Sequence, residues 1–528
     1  MKKNKKDIFK FLIISLIMIM ITGCSSDADH RTFYVSPDGN DENSGLSENE
    51  AWASIERVHQ DTFQAGDAIL FESGGIWQGQ LQPKGSGETG KPITISSYGE
   101  GAMPVIDMND AEGAAIQLIN QSFWEIKGIE ITSGAQPELG VHRQGIVAGA
   151  EGKGADVKHI VIRDCYIHDV WGQLGGGNGY SCAIMVGRRD TVAEINDVLI
   201  ENNRIERVDK AGIFVFGGRE NVVVRGNYMQ NLGGDGIVVW GANKGLIEYN
   251  IADKTCLRTG DPDLDTGGEE WWPHTAAIWI IGCDETIMQF NEVYNTGRQP
   301  GNGDGFAYDF DFECRNCVLQ YNYSANGHGL LLIMDRTYNN VARYNISQND
   351  QTHLIQIHGN TEDGNIIHNN IFYVDHSTVD LDFYCGMENE KDKNKLGATF
   401  KNNIFYAGAQ GRFRTVYTHG SSWDRQYNDS LMISSSQGGP VFQNNSYFGT
   451  WLNGLPEDPE KYVSDPLFVL PGSGKKGLSS LEGYKLRPGS PCIDAGIMAE
   501  MDTKNIQDFF GNPVQGGAID IGVHEIQQ

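Results

Sequence analysis

Proline and cysteine are scarce in this chain of 528 residues, at 16 and 9, and basic residues are outnumbered, with 41 Lys and Arg against 69 Asp and Glu. The formal charge of −28 repels nucleic acid and anionic lipid over most of the surface, which argues against a DNA- or RNA-binding role. Beyond the first two dozen residues there is no apolar run of membrane length, and no G-x-S-x-G elbow, Walker loop or HExxH pair is present. What the chain has in excess is glycine, 66 residues without a G-X-Y period, which points to many tight turns. With 39% hydrophobic residues it has ample material for a core, and disorder is excluded as its main state.

The N-terminus carries five lysines between Lys2 and Lys10, an apolar run from Phe11 to Ile21, and then Ile-Thr-Gly-Cys. The run is too short for a spanning helix. Its ending resembles the lipobox of bacterial lipoproteins, which implies that Cys24 is a lipid anchor. The absence of Asp directly after that Cys implies outer-membrane sorting. An extracytoplasmic protein held to the membrane by lipid alone is therefore expected, with 1–24 as signal and 25–32 as tether. Of the other cysteines only Cys314 and Cys317 form a CxxC, without the further ligands of a zinc site or the βαβ setting of a redox motif, so buried thiols or one local disulfide are expected.

The middle of the chain repeats a short motif, apolar-x-x-Asn-x-(Ile/Val/Ser/Ala). Its Asn falls at Asn203, Asn227, Asn250, Asn291, Asn322, Asn345, Asn369, Asn402 and Asn444, with Cys165 in the same place one turn earlier. The base period near 23 to 24 residues, lengthened by insertions, means a solenoid. Each repeat also carries an alternating strand, GIFVFG from Gly212, GIVVWG from Gly236, AIWIIG from Ala277, GFAYDFDF from Gly305 and GLLLIMD from Gly329. Stacked coils place like positions about 4.8 Å apart, so the turn asparagines can pair amide to amide. The fold class expected is all-β: a right-handed parallel β-helix from 33 to 455 with an N-terminal cap, and a C-terminal β-rich segment, 456–528, packing on its end.

FYVSPDGNDENSG (Phe33 to Gly45), with AWASIERV and AGDAILFESGGIW after it, resembles the N-terminal cap of pectin-lyase-like β-helix proteins. LRPGSPCIDAG (Leu486 to Gly496) and GGAIDIGVHE (Gly516 to Glu525) resemble the C-terminal segment of secreted bacterial β-helix proteins. The stretch from Asp304 to Leu332 is similar to one in carbohydrate-active β-helix lipoproteins of gut bacteria. The resemblance implies a fold and a habitat. It leaves the reaction open, because that superfamily holds hydrolases, lyases, esterases, epimerases and binding proteins.

Setting the strands in register at their first residue gives two outward columns: Phe216, Trp240, Ile281, Asp309, Ile333, and Gly218, Ala242, Cys283, Asp311, Asp335. Asp309 and Asp311 then share a face about 6.5 to 7 Å apart, and Asp311 stacks on Asp335 at about 4.8 Å. Such spacings bracket both glycosidase geometries. Catalysis, calcium binding and turn capping all fit this acidic cluster. Arg336 and His358 lie beside it and would serve a lyase, as would Lys210, Arg188, Arg219 and His328. Trp240, Trp279 and Trp272 offer flat rings for sugar faces, with His328 beside them. The insertion DPDLDTGGEE places Asp261, Asp263 and Asp265 at alternate positions, which suits calcium, although Gly267 falls one place late for an EF-hand loop. A polysaccharide-degrading enzyme is expected, most directly a glycoside hydrolase, with a uronate lyase and a noncatalytic glycan binder as alternatives. It would act as a monomer on a polysaccharide or oligosaccharide, require no cofactor and bind calcium at most.

Overall fold

The computed structural model describes residues 30–134, 141–151, 156–172, 181–187, 194–257, 275–297, 305–358, 361–386, 396–418, 425–428, 439–498, 506–514 and 518–527. Each coil contributes three strands. One is illustrated by Val222–Arg225, Tyr228–Leu232 and Asp235–Trp240, each pairing in parallel with its counterpart one coil on. The first strand of each coil builds a 14-stranded sheet, and the second and third build a 24-stranded one, all parallel except the pairing of Ile404–Thr418 with Arg425–Asn428. The chain is the expected right-handed parallel β-helix.

The interior is filled by stacked columns of Ile, Val, Leu and aromatic residues, such as Ile213, Ile237, Ile278, Tyr308, Leu331 and Ile355, all fully buried. Burial of like residues coil after coil is what a repeat of this length achieves, since no single coil has a core of its own. Cys165, Cys182, Cys256, Cys283, Cys314, Cys317 and Cys492 are free and buried, so no local disulfide forms between Cys314 and Cys317.

The asparagine ladder is present and has a direction. Nδ2 of each Asn donates to Oδ1 of the next, from Asn203 through Asn227, Asn250, Asn291, Asn322 and Asn345 at 2.9 to 3.0 Å. From there the rungs are Asn370, Asn403 and Asn445, one residue after the expected Asn369, Asn402 and Asn444. In these Asn-Asn pairs the first residue takes the left-handed turn conformation, at φ 51, 53 and 60°, and only the second turns inward. Asn tolerates that conformation better than most residues, so the pair satisfies the turn and the ladder at once. Asp458 ends the series: Asn445 donates to its Oδ2 at 3.0 Å, and a carboxylate needs no further acceptor.

At the N-terminal end a one-turn helix, Ile55–Val58, N-capped by the Ser54 hydroxyl, buries Ile55 and Val58 beside Trp52. The C-terminal segment corrects the expectation of a simple end cap. Asp458 and Tyr462 close the last coil, but the remainder runs back along the flank of the solenoid. Lys476 pairs with Asp253 at 2.5 Å, Gly474 donates to Gln348, and Asn369 and Asn402 donate to backbone carbonyls of Gly522 and Ile497. Its pairing is by isolated bridges, such as Phe468 with Leu486 and Gly496 with Ile519.

Candidate active site

The strands that carry the acidic residues share a bend at which two consecutive residues face inward: Gly212 and Ile213, Ala277 and Ile278, Ala307 and Tyr308, Leu330 and Leu331. The common origin for counting is this bend. Gly305 lies two residues ahead of it and Gly329 one. The expected columns are corrected accordingly. Asp309 is in register with Trp279 on one side and Leu332 on the other, and that column reads Phe214, Val238, Trp279, Asp309, Leu332, Gln356, Asp382, Arg414. The neighbouring column begins Phe216, Trp240, Ile281 and continues one place beyond the paired Phe310, Ile333 and Ile357 to Asp311, Met334 and His358.

Asp309 and Asp311 are thus on one outer face, as expected, but Asp335 does not stack on Asp311. It lies in the turn after Met334, and Arg336, next to it in the left-handed conformation, is turned to the exposed Glu313 at 2.9 Å and over the Phe312 ring. Arg336 is therefore engaged by Glu313, and Asp335 belongs to the turn and not to the column of Asp311. Asp309 is 5% exposed, whereas Asp311 is more open and accepts from the Phe312 amide at 2.6 Å where the strand ends.

The face changes character along the solenoid. Before the acidic coil it is an apolar patch of Val147, Met185, Phe214, Phe216 and Val238, against which Trp240 and Trp279 pack, each half-buried. Trp279 is held by Asp235, whose Oδ1 accepts the indole N–H at 2.9 Å and the Ala276 amide at 3.1 Å. Asp235 is fully buried and its Oδ2 sits 2.8 Å from Lys210 Nζ. This commits Lys210 to a charge pair and removes it from the candidate bases.

Beyond the acidic coil lies an ionic network that the sequence reading missed. Asp380 and Asp382 on one strand oppose Arg412 and Arg414 on the next. Arg412 donates to both oxygens of Asp380 at 2.7 and 3.0 Å, and Arg414 donates to both of Asp382 at 2.9 Å while reaching Asp380 as well. His353 Nδ1 lies 2.9 Å from Asp382 Oδ2. Burial pushes the Asp382 carboxyl up, but His353 and Arg414 outweigh it and hold the group below the ordinary carboxylate range. His353, Asp380 and Asp382 have metal-ligand types within reach of one another. They do not fit a divalent cation well, because both carboxylates already hold guanidinium groups that a metal would have to displace. The signal for this network was the spacing: DLD and RFR each put two like charges on one face of adjacent strands.

Of the other expected contacts, His358 does face outward and meets Gln356 at 2.7 Å between Nε2 atoms. His328 is buried at 1% exposure, its ring edge-on to Phe306 and to His353 at 4.9 and 5.0 Å, so it supports this face from beneath. Asp261, Asp263, Asp265 and Trp272, the expected calcium loop and its aromatic, lie outside the described residues, as does Cys24.

A family model described as the right handed beta helix region matches residues 155–267. A lacto-N-biosidase of Bifidobacterium longum subsp. longum is 27% identical over 92% of this chain, which spans 36% of the length of that relative. Among solved structures, the GH136 lacto-N-biosidase from Eubacterium ramulus aligns with TM-score 0.58 and 23% identity in its selenomethionine form, covering 71% of this chain and 68% of that one. XylC in complex with xylose aligns with TM-score 0.51 and 11% identity over 94% of this chain and 98% of its own. The structural likenesses establish the fold.

Proposed function

We propose that this chain is an extracytoplasmic glycoside hydrolase, tethered to the outer membrane through Cys24, that cleaves a glycan laid along the outer face between Trp279 and Arg414. The observation that carries this reading is the placement of Asp309 and Asp311 on one face at the point where half-buried tryptophans give way to polar residues. Two carboxylates a strand repeat apart, about 6.5 to 7 Å, serve as general acid and as base or nucleophile. Trp240 and Trp279 give the sugar an apolar surface on one side, and Asp235 fixes the Trp279 indole there. The described cations of this face, Lys210, Arg412 and Arg414, are matched by Asp235, Asp380 and Asp382. That balance suits an uncharged glycan better than a polyuronate. The resemblance to lacto-N-biosidases supports a hydrolase and makes the p-nitrophenyl glycoside of lacto-N-biose the first substrate to try.

The test is a glycan panel scored both for new reducing ends and for ultraviolet-absorbing unsaturated products. Reducing ends without absorbance are expected; absorbance would establish a lyase instead, and neither signal a binder. In the active case Asp311→Asn should lose about 10² to 10⁴ in rate while melting at the parent temperature, because its side chain is outside the core. Full activity in that variant would remove Asp311 from the mechanism. For the anchor, Cys24→Ala should release folded protein from the membrane fraction, and unchanged membrane association would refute it.

A further inference from the structure

Two polar atoms on the strand His353–Ile357 are left over by the ionic network. His353 Nε2 and Gln356 Oε1 are both buried and have no hydrogen-bond partner among the described residues. The residues themselves are 2% and 1% exposed. Native interiors leave few polar atoms in this condition, because each carries its full desolvation penalty. Here two lie on one strand, on the outer face that also carries Asp309.

Their remaining polar atoms decide what they can accept. Asp382 stands 2.9 Å from His353 Nδ1 and keeps the proton on that nitrogen, which leaves the Nε2 lone pair facing away from the network. The Gln356 Nε2 is taken up by His358 at 2.7 Å, which leaves the amide oxygen. Both open atoms are therefore acceptors. The coil before them comes close to His353 at Gly329, where a Cβ would fall within 1.7 Å of the His353 carbonyl and 2.6 Å of the Phe306 ring. Glycine thus lets the two coils approach closely and fixes the His353 backbone from behind.

We propose that His353 Nε2 and Gln356 Oε1 form an acceptor pair that takes hydroxyl hydrogens of a neutral sugar ring on the outer face, in the subsite next to Asp309 and Asp311. The pair is a specificity device: a ring rich in hydroxyls satisfies both atoms, whereas a uronate carboxylate at that place sets lone pairs against lone pairs. Asp382 and Arg414 are positioning residues behind it, fixing the imidazole tautomer. This assignment rests on the glycan-cleaving reading above and names the class of sugar that it takes.

The experiment uses the full chain. Neutral disaccharides (lacto-N-biose, lactose, cellobiose and xylobiose) and digalacturonate are titrated calorimetrically into the parent, His353→Phe and Gln356→Leu. Phe keeps an aromatic ring against His328 while removing the acceptor. The parent should bind at least one neutral disaccharide tenfold or more tighter than digalacturonate. Each variant should lose about tenfold in that affinity; Gln356→Leu should keep the parent melting temperature, whereas His353→Phe also takes the Nδ1 partner from the buried Asp382 and should melt lower while remaining folded. Should a variant not fold, ¹⁵N-histidine spectra of the parent decide: the unprotonated Nε2 resonance of His353 should shift at saturation while Nδ1 stays protonated. Unchanged affinity in a folded His353→Phe, an unmoved Nε2 resonance at saturation (as for a retained buried water), preference for digalacturonate, or no binding of any neutral disaccharide would each overturn the assignment. A chain that binds through His353 but cleaves nothing in the panel keeps this subsite and loses the hydrolase reading instead. A chain that cleaves neutral glycans with His353→Phe unimpaired does the reverse.

Discussion

The polarity of the asparagine ladder can be tested by exchanging one atom at two places. Asn345 Nδ2 donates to Leu319 O and to Asn370 Oδ1, both at 2.9 Å, while its Oδ1 accepts from the amide and the Nδ2 of Asn322. In Asn345→Asp the donor becomes an oxygen facing two acceptors in a fully buried site. The carboxyl must then stay protonated in the folded state, so its folded pKa is raised above the unfolded value near 3.9. Its penalty grows as pH rises above that value. Holding the proton at pH 7 costs about 1.36 kcal/mol for each of roughly three units, or about 4 kcal/mol. One hydrogen bond fewer than the amide made adds about 1 kcal/mol. Asp458→Asn is the reciprocal change, and it fails for the opposite reason. Both Asp458 oxygens accept, from the amides of Asn444 and Asn445, from Asn445 Nδ2 and from the Tyr447 hydroxyl, so an NH₂ group there faces donors. Its cost of about 1 to 3 kcal/mol is free of pH dependence between 5 and 8. Urea midpoints of the three proteins at pH 5 and pH 8 check this. A loss in Asn345→Asp that does not shrink toward pH 5, or a stable Asp458→Asn, would refute the directed ladder.

Arg414→Met removes the guanidinium shared by Asp382 and Asp380 and should cost about 3 to 5 kcal/mol in urea unfolding, most of it recovered when Asp382→Leu is added. If the double variant is as unstable as the single, the cost does not come from a stranded carboxylate. Glu525 titrates at about 7, raised by burial and then by the Asp520, Asp508 and Asp494 carboxylates. A carboxyl whose folded pKa lies above its unfolded value near 4.3 stabilises most below that value and loses the contribution as pH rises through 7. The parent melting temperature should therefore fall between pH 5 and pH 8 more steeply than that of Glu525→Gln, and parallel curves would contradict this. At Asn349, where φ is +57° and Oδ1 accepts the Asp375 amide, Asn349→Leu should lose about 1 to 2 kcal/mol from strain, whereas Asn349→Gly should lose less. Equal losses would place the effect in the hydrogen bond alone.

The fold was legible because a solenoid writes the same instruction many times. One Asn and one alternating strand per coil are a weak signal singly, but nine recurrences leave few other folds. The register was legible only where residue identity and backbone role coincide. Glycine marks the inward bend at Gly212 and Gly236, because a Cβ at either would meet a carbonyl of the next coil. At Ala277 and Ala307 a methyl group fits, and at Leu330 a whole side chain does, so counting from glycine slid by two places at Gly305 and by one at Gly329. The same ambiguity misplaced three rungs of the ladder, where either Asn of a pair suits a turn. Asp309 and Asp311 survived the slip, since a shift of two keeps a side chain on its face, whereas a shift of one moved Asp335 from the face to the turn. The His353, Asp382 and Arg414 network escaped because its members lie 29 and 32 residues apart in coils whose lengths vary. Only the structure shows DLD beneath RFR. The consequence bears on the site itself. Along this face the residues that resist sequence reading are those joined across coils, and they are also the ones that decide which charges remain available to a ligand. Once Lys210, Arg412 and Arg414 are assigned to Asp235, Asp380 and Asp382, what the described residues of this face offer a ligand is carboxylates, half-buried tryptophan rings and hydrogen-bond acceptors. That combination fits the hydroxyls and C–H faces of an uncharged sugar, and in the function proposed above it is the balance of paired charges, more than the acidic pair alone, that argues for hydrolysis of a neutral glycan over elimination on a uronate.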